Sequence, residues 1–199
     1  MNIPLDVIEL IASYLVKPRM KLLDWIPLDK LNWSYLSQNP NAIHLLEQNI
    51  DKLNWYGLSF NPNAINLLEK NMDKINWIYL SQTPNAVHML QENIDKINWT
   101  TLSQNPSAIH LLEKNIDKIN WNWLSQNPSA IHLLEQNIDK INWSNLSNNL
   151  NAIHLLEQNI DKIDWYWLSE NPSIFEIDKK QLKIDIEGKA QIIDKIIHQ

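Results

Sequence analysis

One tryptophan recurs every twenty-two residues: Trp33, Trp55, Trp77, Trp99, Trp121, Trp143 and Trp165 are copies of a single position. A fixed step of this length marks a stacked-repeat architecture, in which one supersecondary unit is copied and no copy buries its apolar face alone. Residues 99–120, WTTLSQNPSAIHLLEKNIDKIN, show the unit most clearly. The period runs from residue 31 to residue 170 of 199, which leaves room only for a cap at each end. One elongated body of six full units and a partial seventh is the expectation.

The unit reads as two helices. Asn105 and Pro106 form a start signal, because Asn is a strong N-cap and Pro fits the first helical turn. Ala108, Ile109, Leu111 and Leu112 then supply an apolar face, and Asn115 sits where a left-handed C′ residue would end a helix of about ten residues. Ile116 follows, placed to fold back on the last turn. A shorter helix holds Trp99, Leu102 and Ser103 behind an Asn98 N-cap, and the last copy carries Asp164 in that slot, an exchange that an N-cap permits. Apolar spacings of 3 and 4, with Pro in nearly every copy, disfavour strands. The fold class is all-α: an α-solenoid of short two-helix 22-residue repeats with N- and C-terminal helical caps. Residues 1–30 form the first cap, 31–176 the array and 177–199 the second cap. The indoles are expected to form the structural core ladder, so that Trp99→Ala, if the ring is buried, costs about 3 to 5 kcal/mol.

Composition narrows the function. Apolar residues make up 44% and charged residues 20%, with ten Trp, which is not the composition of a disordered chain. Net charge is −6 with Arg19 as the single Arg, so the Arg forks and basic track that phosphates require are missing. A modular nucleic-acid reader, suggested by paired variable residues, is therefore the weakest of the readings. The absence of Cys removes disulfides and thiolate metal sites and fits a reducing compartment. Asp6 and Glu9 interrupt any signal-peptide core, and no apolar run approaches the ~18 residues of a membrane span. An intracellular protein with no membrane partner is expected.

Two residues after each ladder Trp change freely between copies: Ser34-Tyr35, Tyr56-Gly57, Ile78-Tyr79, Thr100-Thr101, Asn122-Trp123, Ser144-Asn145 and Tyr166-Trp167. Invariant positions build a stack, so variable ones face solvent or a partner. The candidate partner-binding residues are Tyr35, Tyr56, Tyr79, Thr101, Trp123, Asn145 and Trp167, and exposed aromatics are favoured anchors. Neutral drift at exposed sites is the competing account. His44, His88, His110, His132 and His154 share another slot, with Asn66 once. Stacked helices lie about 8 to 10 Å apart, too far for neighbouring His to share one ion, so hydrogen bonding is expected there and no metal. The Glu ladder (Glu47, Glu69, Glu113, Glu135, Glu157) and the Asp51-Lys52 type pairs sit in identical environments, whereas catalytic carboxylates need unlike ones. No nucleophile elbow, phosphate loop or metal motif occurs, and with only two Gly the expectation is no enzyme and no cofactor.

At the amino end, Val7, Leu10, Ile11, Tyr14 and Leu15 form one stripe of a helix beginning near Pro4. A cap would explain it. The order Ile3, Pro4, Leu5, Asp6, Val7, then Ile11 and Ser13-Tyr14-Leu15, also resembles the opening helix of an F-box. That resemblance implies that Ile3, Pro4, Asp6, Val7, Leu10, Ile11, Tyr14 and Leu15 dock on the adaptor subunit of a cullin-type ubiquitin ligase. Residues 18–32 compete for a second reading as a degenerate repeat, since Pro18, Leu23, Leu28, Asp29 and Lys30 stand twenty-two before Pro40, Leu45, Ile50, Asp51 and Lys52. At the carboxyl end, a closing helix or two, separated at Gly188, is expected, and an exposed face over 192–197 could instead pair with another chain.

The array, over about residues 18–176, resembles a tandem-repeat family of large DNA viruses of amoebae and other protists, built on IxWxxLSxNPNAIxLLExNxDK units and often opening with an F-box-like segment. This resemblance is specific for architecture. The expected function is a protein-protein interaction scaffold, in host cytoplasm if the chain is viral, with the F-box-like first helix recruiting a ubiquitin ligase and the repeats holding the target. A structural or scavenging repeat protein with no ubiquitin link is the alternative.

Overall fold

The computed structural model describes residues 4–15 and 20–197, without the side chains of 13–15, 192 and 194–197; among them every regular element is helical and no strand occurs. The chain divides into two compact units, residues 1–120 and 121–199, at a boundary between two copies of the repeat. Within each unit the copies stack as an all-α repeat solenoid.

A copy contains three helical pieces. The Trp99 copy opens with an α-helix, Trp99–Leu102, turns at 105–108 into a second, Ile109–Glu113, and closes on one 3-10 turn, Ile116–Lys118. Asn98 starts the first: its backbone is extended, at φ −85° and ψ 99°, and its side chain accepts from the Thr101 N–H at 3.0 Å. Asn32, Asn54, Asn76, Asn142 and Asp164 repeat this N-cap, as their spacing implied.

The second helix is shorter than the expected ten residues. The Asn105 side chain accepts from the Ser107 N–H and its carbonyl takes the Ala108 N–H at 3.2 Å, so the segment begins as a tight Asx turn. Five α-helical residues follow, Ile109–Glu113. Nor does Asn115 end them in the left-handed region, since φ is −138° there and no positive φ occurs among the described residues. Its side chain instead donates to the Leu111 carbonyl at 2.8 Å, satisfying an orphan acceptor directly. Asn49, Asn71, Asn93, Asn137 and Asn159 do the same in their copies.

Leucine, alanine and isoleucine fill the core. In the first unit Leu58, Leu80 and Leu102 are fully enclosed, with Ala64, Ala86 and Ala108 and the pairs Leu67-Leu68, Met89-Leu90 and Leu111-Leu112 behind them. In the second, Leu124, Leu146, Ala130, Ala152, Leu133-Leu134 and Leu155-Leu156 repeat the pattern.

A buried polar ladder runs beside this core. Ser81 Oγ donates to the Trp77 carbonyl at 2.7 Å and accepts the Asn98 backbone N–H of the next copy at 3.0 Å. Ser37, Ser59 and Ser103 in the first unit, and Ser125 and Ser147 in the second, bridge consecutive copies identically. Asn105 then reaches back with its Nδ2 to the Ser81 and Thr83 carbonyls at 3.0 and 3.1 Å. Asn61, Asn149 and Asn171 make the same pair of bonds, and Thr83 keeps one of them, from Oγ1 to the Ser59 carbonyl. No buried side-chain N or O among the described residues lacks a partner.

The indoles do not occupy the position expected of them. Trp33, Trp55, Trp77, Trp99, Trp121 and Trp143 are half-buried, and Trp165 is 62% exposed, so the enclosed spine is leucine and not tryptophan. The reason lies in the Asp-Lys pairs. The Lys nineteen residues after each Trp lays its ammonium 4.7 to 5.0 Å from the ring centroid, from Lys52 over Trp33 to Lys162 over Trp143. The indole packs one face and offers the other to a cation.

Both terminal helices carry exposed apolar side chains. Leu5–Leu15 leaves Leu5, Val7, Ile8, Leu10 and Ile11 exposed. Lys179–Ile197 is one helix running through Gly188, not two, with Leu182, Ile184, Ile186 and Ile193 exposed. A lone helix with nothing packed near Gly188 feels no cost at that residue beyond helix propensity, which tolerates it.

Candidate partner-binding face

The two variable residues after each Trp lie on the first turn of the first helix, and they divide the work between them. In the first unit the second slot faces the preceding copy. A Cβ added to Gly57 would come 3.1 Å from the Ser34 carbonyl, Thr101 Oγ1 donates to the Ile78 carbonyl at 2.8 Å, and Tyr79 packs edge-on against Tyr56 with centroids 4.3 Å apart. In the second unit Asn145 Nδ2 donates to the Asn122 carbonyl at 2.8 Å. At Gly57, Tyr79, Thr101 and Asn145 the second slot thus reads its neighbour's first slot.

The candidate residues separate accordingly. Tyr35, Tyr56, Trp123 and Trp167 are exposed, as expected of a contact face, and so are Ile78 and Tyr166. Tyr79, Thr101 and Asn145 are half-buried and bonded between copies, so their variation is matched to the adjacent copy and not to solvent alone. Of the helix residues proposed for ligase docking, Ile3 lies outside the described residues, as do the side chains of Tyr14 and Leu15. Pro4, Asp6, Val7, Leu10 and Ile11 are exposed along one helix.

A third column belongs to the face and was missed. Five residues after the ladder Trp stand Gln38, Phe60, Gln82, Gln104 and, in the second unit, Gln126. Gln82 donates to Gln104 at 2.7 Å, and Gln126 to Asn145 at 3.1 Å, so these amides run between copies beside the variable pair. Phe60 breaks the run: it lies 6.1 Å from Tyr79 and, with Gln38, Tyr56 and Gly57, lines an open cleft of about 270 Å³. A Phe in a column of Gln was the signal. Gly57 leaves the space, and the aromatic rings supply its walls.

Charge around the face is set locally. The Tyr56 hydroxyl, bonded to that of Tyr79, raises the Tyr79 pKa above the ordinary tyrosine value, with lost hydration and the neighbour's charge adding to it. Asp164 is lowered, first by the Ser144 hydroxyl at 2.7 Å; desolvation comes next and opposes it, and the Trp167 and Tyr166 backbone N–H groups add to the lowering. His88 meets Glu69 of the preceding copy at 2.7 Å, and His154 meets Glu135 at the same distance. Each imidazole therefore has a partner of its own across the stack. Among the described residues no three His, Asp or Glu converge as a metal site, and no helix is long and apolar enough to cross a membrane. No family model matches the chain, and neither a curated protein nor a solved structure is similar to it.

Proposed function

We propose that this chain is a protein-protein interaction scaffold whose repeats present an aromatic face to a target. The observation that carries the reading is the set of exposed rings in each unit, Tyr35, Tyr56 and Phe60 in the first and Trp123 and Trp167 in the second, on or just after helices that buried hydrogen bonds tie to their neighbours within the unit. Rings held on a frame bind with little loss of conformational freedom, which is what makes Tyr and Trp effective anchors. Replacing Tyr35, Tyr56, Trp123 and Trp167 together by Ser leaves the Leu core and Ser-Asn ladder intact. Proximity labelling in cells should then lose the set of neighbours seen with the parent chain, at unchanged abundance. An unchanged set would refute the assignment of this face.

The amino-terminal helix favours a more specific form, an F-box-like substrate adaptor. Pro4 just before the helix, and Val7, Leu10 and Ile11 on it, are exposed and suit a helix-in-groove contact with a ubiquitin-ligase adaptor subunit. Co-purification with that subunit, lost in Pro4→Glu/Leu10→Glu and retained in the ring variant, is the expected result. No co-purification would leave a structural or scavenging repeat protein as the better reading.

A further inference from the structure

We infer that the two ends of the repeat ladder are complementary and that a second copy of this chain docks head to tail, completing one repeat across the junction. The array begins and ends on opposite halves of a unit. At the head, Leu28–Lys30 forms the same 3-10 turn as Ile50–Lys52 and leads into the Asn32 cap, which is the second half of a copy. At the tail, Trp165–Leu168 and Pro172–Ile174 form the first half, after which Phe175 is extended and the second helix is missing.

Each half lacks what the other holds. The Lys that covers a ladder indole stands nineteen residues after it; for Trp165 that residue is Ile184, and this ring alone of the seven is 62% exposed. At the head, Lys30 stands three residues before Trp33, the place from which Lys52, three before Trp55, covers Trp33. The bridging Ser shows the same gap. Ser169 Oγ donates to the Trp165 carbonyl at 2.6 Å and has no following Asn N–H to accept, whereas the Asn32 N–H has no Ser seventeen residues earlier, where Leu15 stands. The third rung matches by position: exposed Asn39 stands where Asn61 stands one copy on, and among the described residues the Ser169 and Asn171 carbonyls receive no amide of that register. The head thus offers one cation and two donors, and the tail offers one ring and the acceptors, in the register of the joint between the Trp77 and Trp99 copies.

The described side chains of the terminal helices are exposed, so none of these is enclosed in either place. The contact is heterologous, so a copy that receives a neighbour at its tail still has a head to donate.

Analytical ultracentrifugation of the full chain over a concentration series tests this. The parent chain should associate with rising concentration, while a head variant, Lys30→Glu/Asn39→Asp, and a tail variant, Trp165→Glu, each remain monomeric with melting temperatures near the parent's. The decisive step is to mix them: the head variant keeps a sound tail and the tail variant a sound head, so the mixture should form 1:1 dimers and nothing larger. A parent chain that stays monomeric at its solubility limit overturns the inference. So does association that survives in both variants, which would assign it to the terminal helix faces, or a mixture that forms no dimer.

Discussion

Asn105 is the residue on which the account of stacking can be tested most sharply. It is fully buried, and its Nδ2 spans two carbonyls of the preceding copy, those of Ser81 and Thr83. Asn105→Ala removes both bonds. The Thr83 carbonyl still receives the Ala86 N–H at 3.1 Å, but the Ser81 carbonyl loses the amide that satisfied it. Leaving one buried acceptor unpaired costs about 1 to 3 kcal/mol, and losing the second bond and the Asx-turn bond from the Ser107 N–H about 0.5 to 1.5 each, so a destabilisation of roughly 2 to 6 kcal/mol is expected. Position 83 supplies an internal calibration, because Thr83 Oγ1 keeps the bond to the Ser59 carbonyl at 3.1 Å. Thr83 makes no turn bond of its own, so Asn105→Thr should lose the second bond and the Asx-turn bond but keep the Ser81 carbonyl paired, at about 1 to 3 kcal/mol. Asn85→Ala is the control: its amide also reaches the preceding copy, at 2.9 Å from the Pro62 carbonyl, but it is exposed and should cost less than about 0.5 kcal/mol. Urea titration followed by far-UV circular dichroism ranks the three. If Asn105→Ala falls within about 0.5 kcal/mol of Asn85→Ala, or if Thr at 105 is as damaging as Ala, the buried ladder does not hold the copies together.

Three further outcomes follow from the same geometry. Trp99→Ala should cost about 2 kcal/mol, below the ~3 to 5 of an enclosed ring, and Lys118→Met about 0.5 kcal/mol through the lost ammonium contact, both read from thermal unfolding. Gly188→Ala should raise the helicity of the terminal helix, worth about 0.5 to 1 kcal/mol, because a Cβ there meets nothing within 4 Å; hydrogen exchange over 179–197 measures it. Asp164 has a lowered folded pKa, so its contribution is present above the ordinary carboxylate value and is lost as pH falls through the lowered one. The acid side of a melting-temperature profile should flatten in Asp164→Asn, which keeps the cap without the charge.

The fold class was legible because the period alone requires stacking, and the N-cap role of Asn98 was legible from the Asn-to-Asp exchange at Asp164. The core was misjudged at its largest residue. Seven invariant indoles read as a buried spine, yet nothing in the spacing of the Asp-Lys pairs ties them to the rings, and only the fold places Lys118 over Trp99. Ser103 and Asn105 were read as local helix signals, correct but partial: nothing in a single copy says that Ser103 Oγ will accept from Asn120, seventeen residues on. The variable face was half legible. Sequence variation marks Tyr35 and Thr101 alike, but it cannot separate a residue varying against solvent from one varying against the neighbouring copy.

Directional hydrogen bonds also explain why so repetitive a chain keeps one register. Apolar ladders of Leu and Ala are tolerant, since a copy displaced along the stack would still bury hydrocarbon. An Asn amide aimed at two carbonyls is not tolerant, and a misplaced joint would bury a bare carbonyl and an unmatched N–H at each Ser-Asn pair, at about 1 to 3 kcal/mol apiece. The polar rungs thus act against alternatives that the apolar core permits. For the same reason drift can proceed at Tyr35, Tyr56 or Trp123 without disturbing the frame, because the groups that set the register are backbone carbonyls and N–H groups together with the Ser and Asn side chains, none of them supplied by the varying rings.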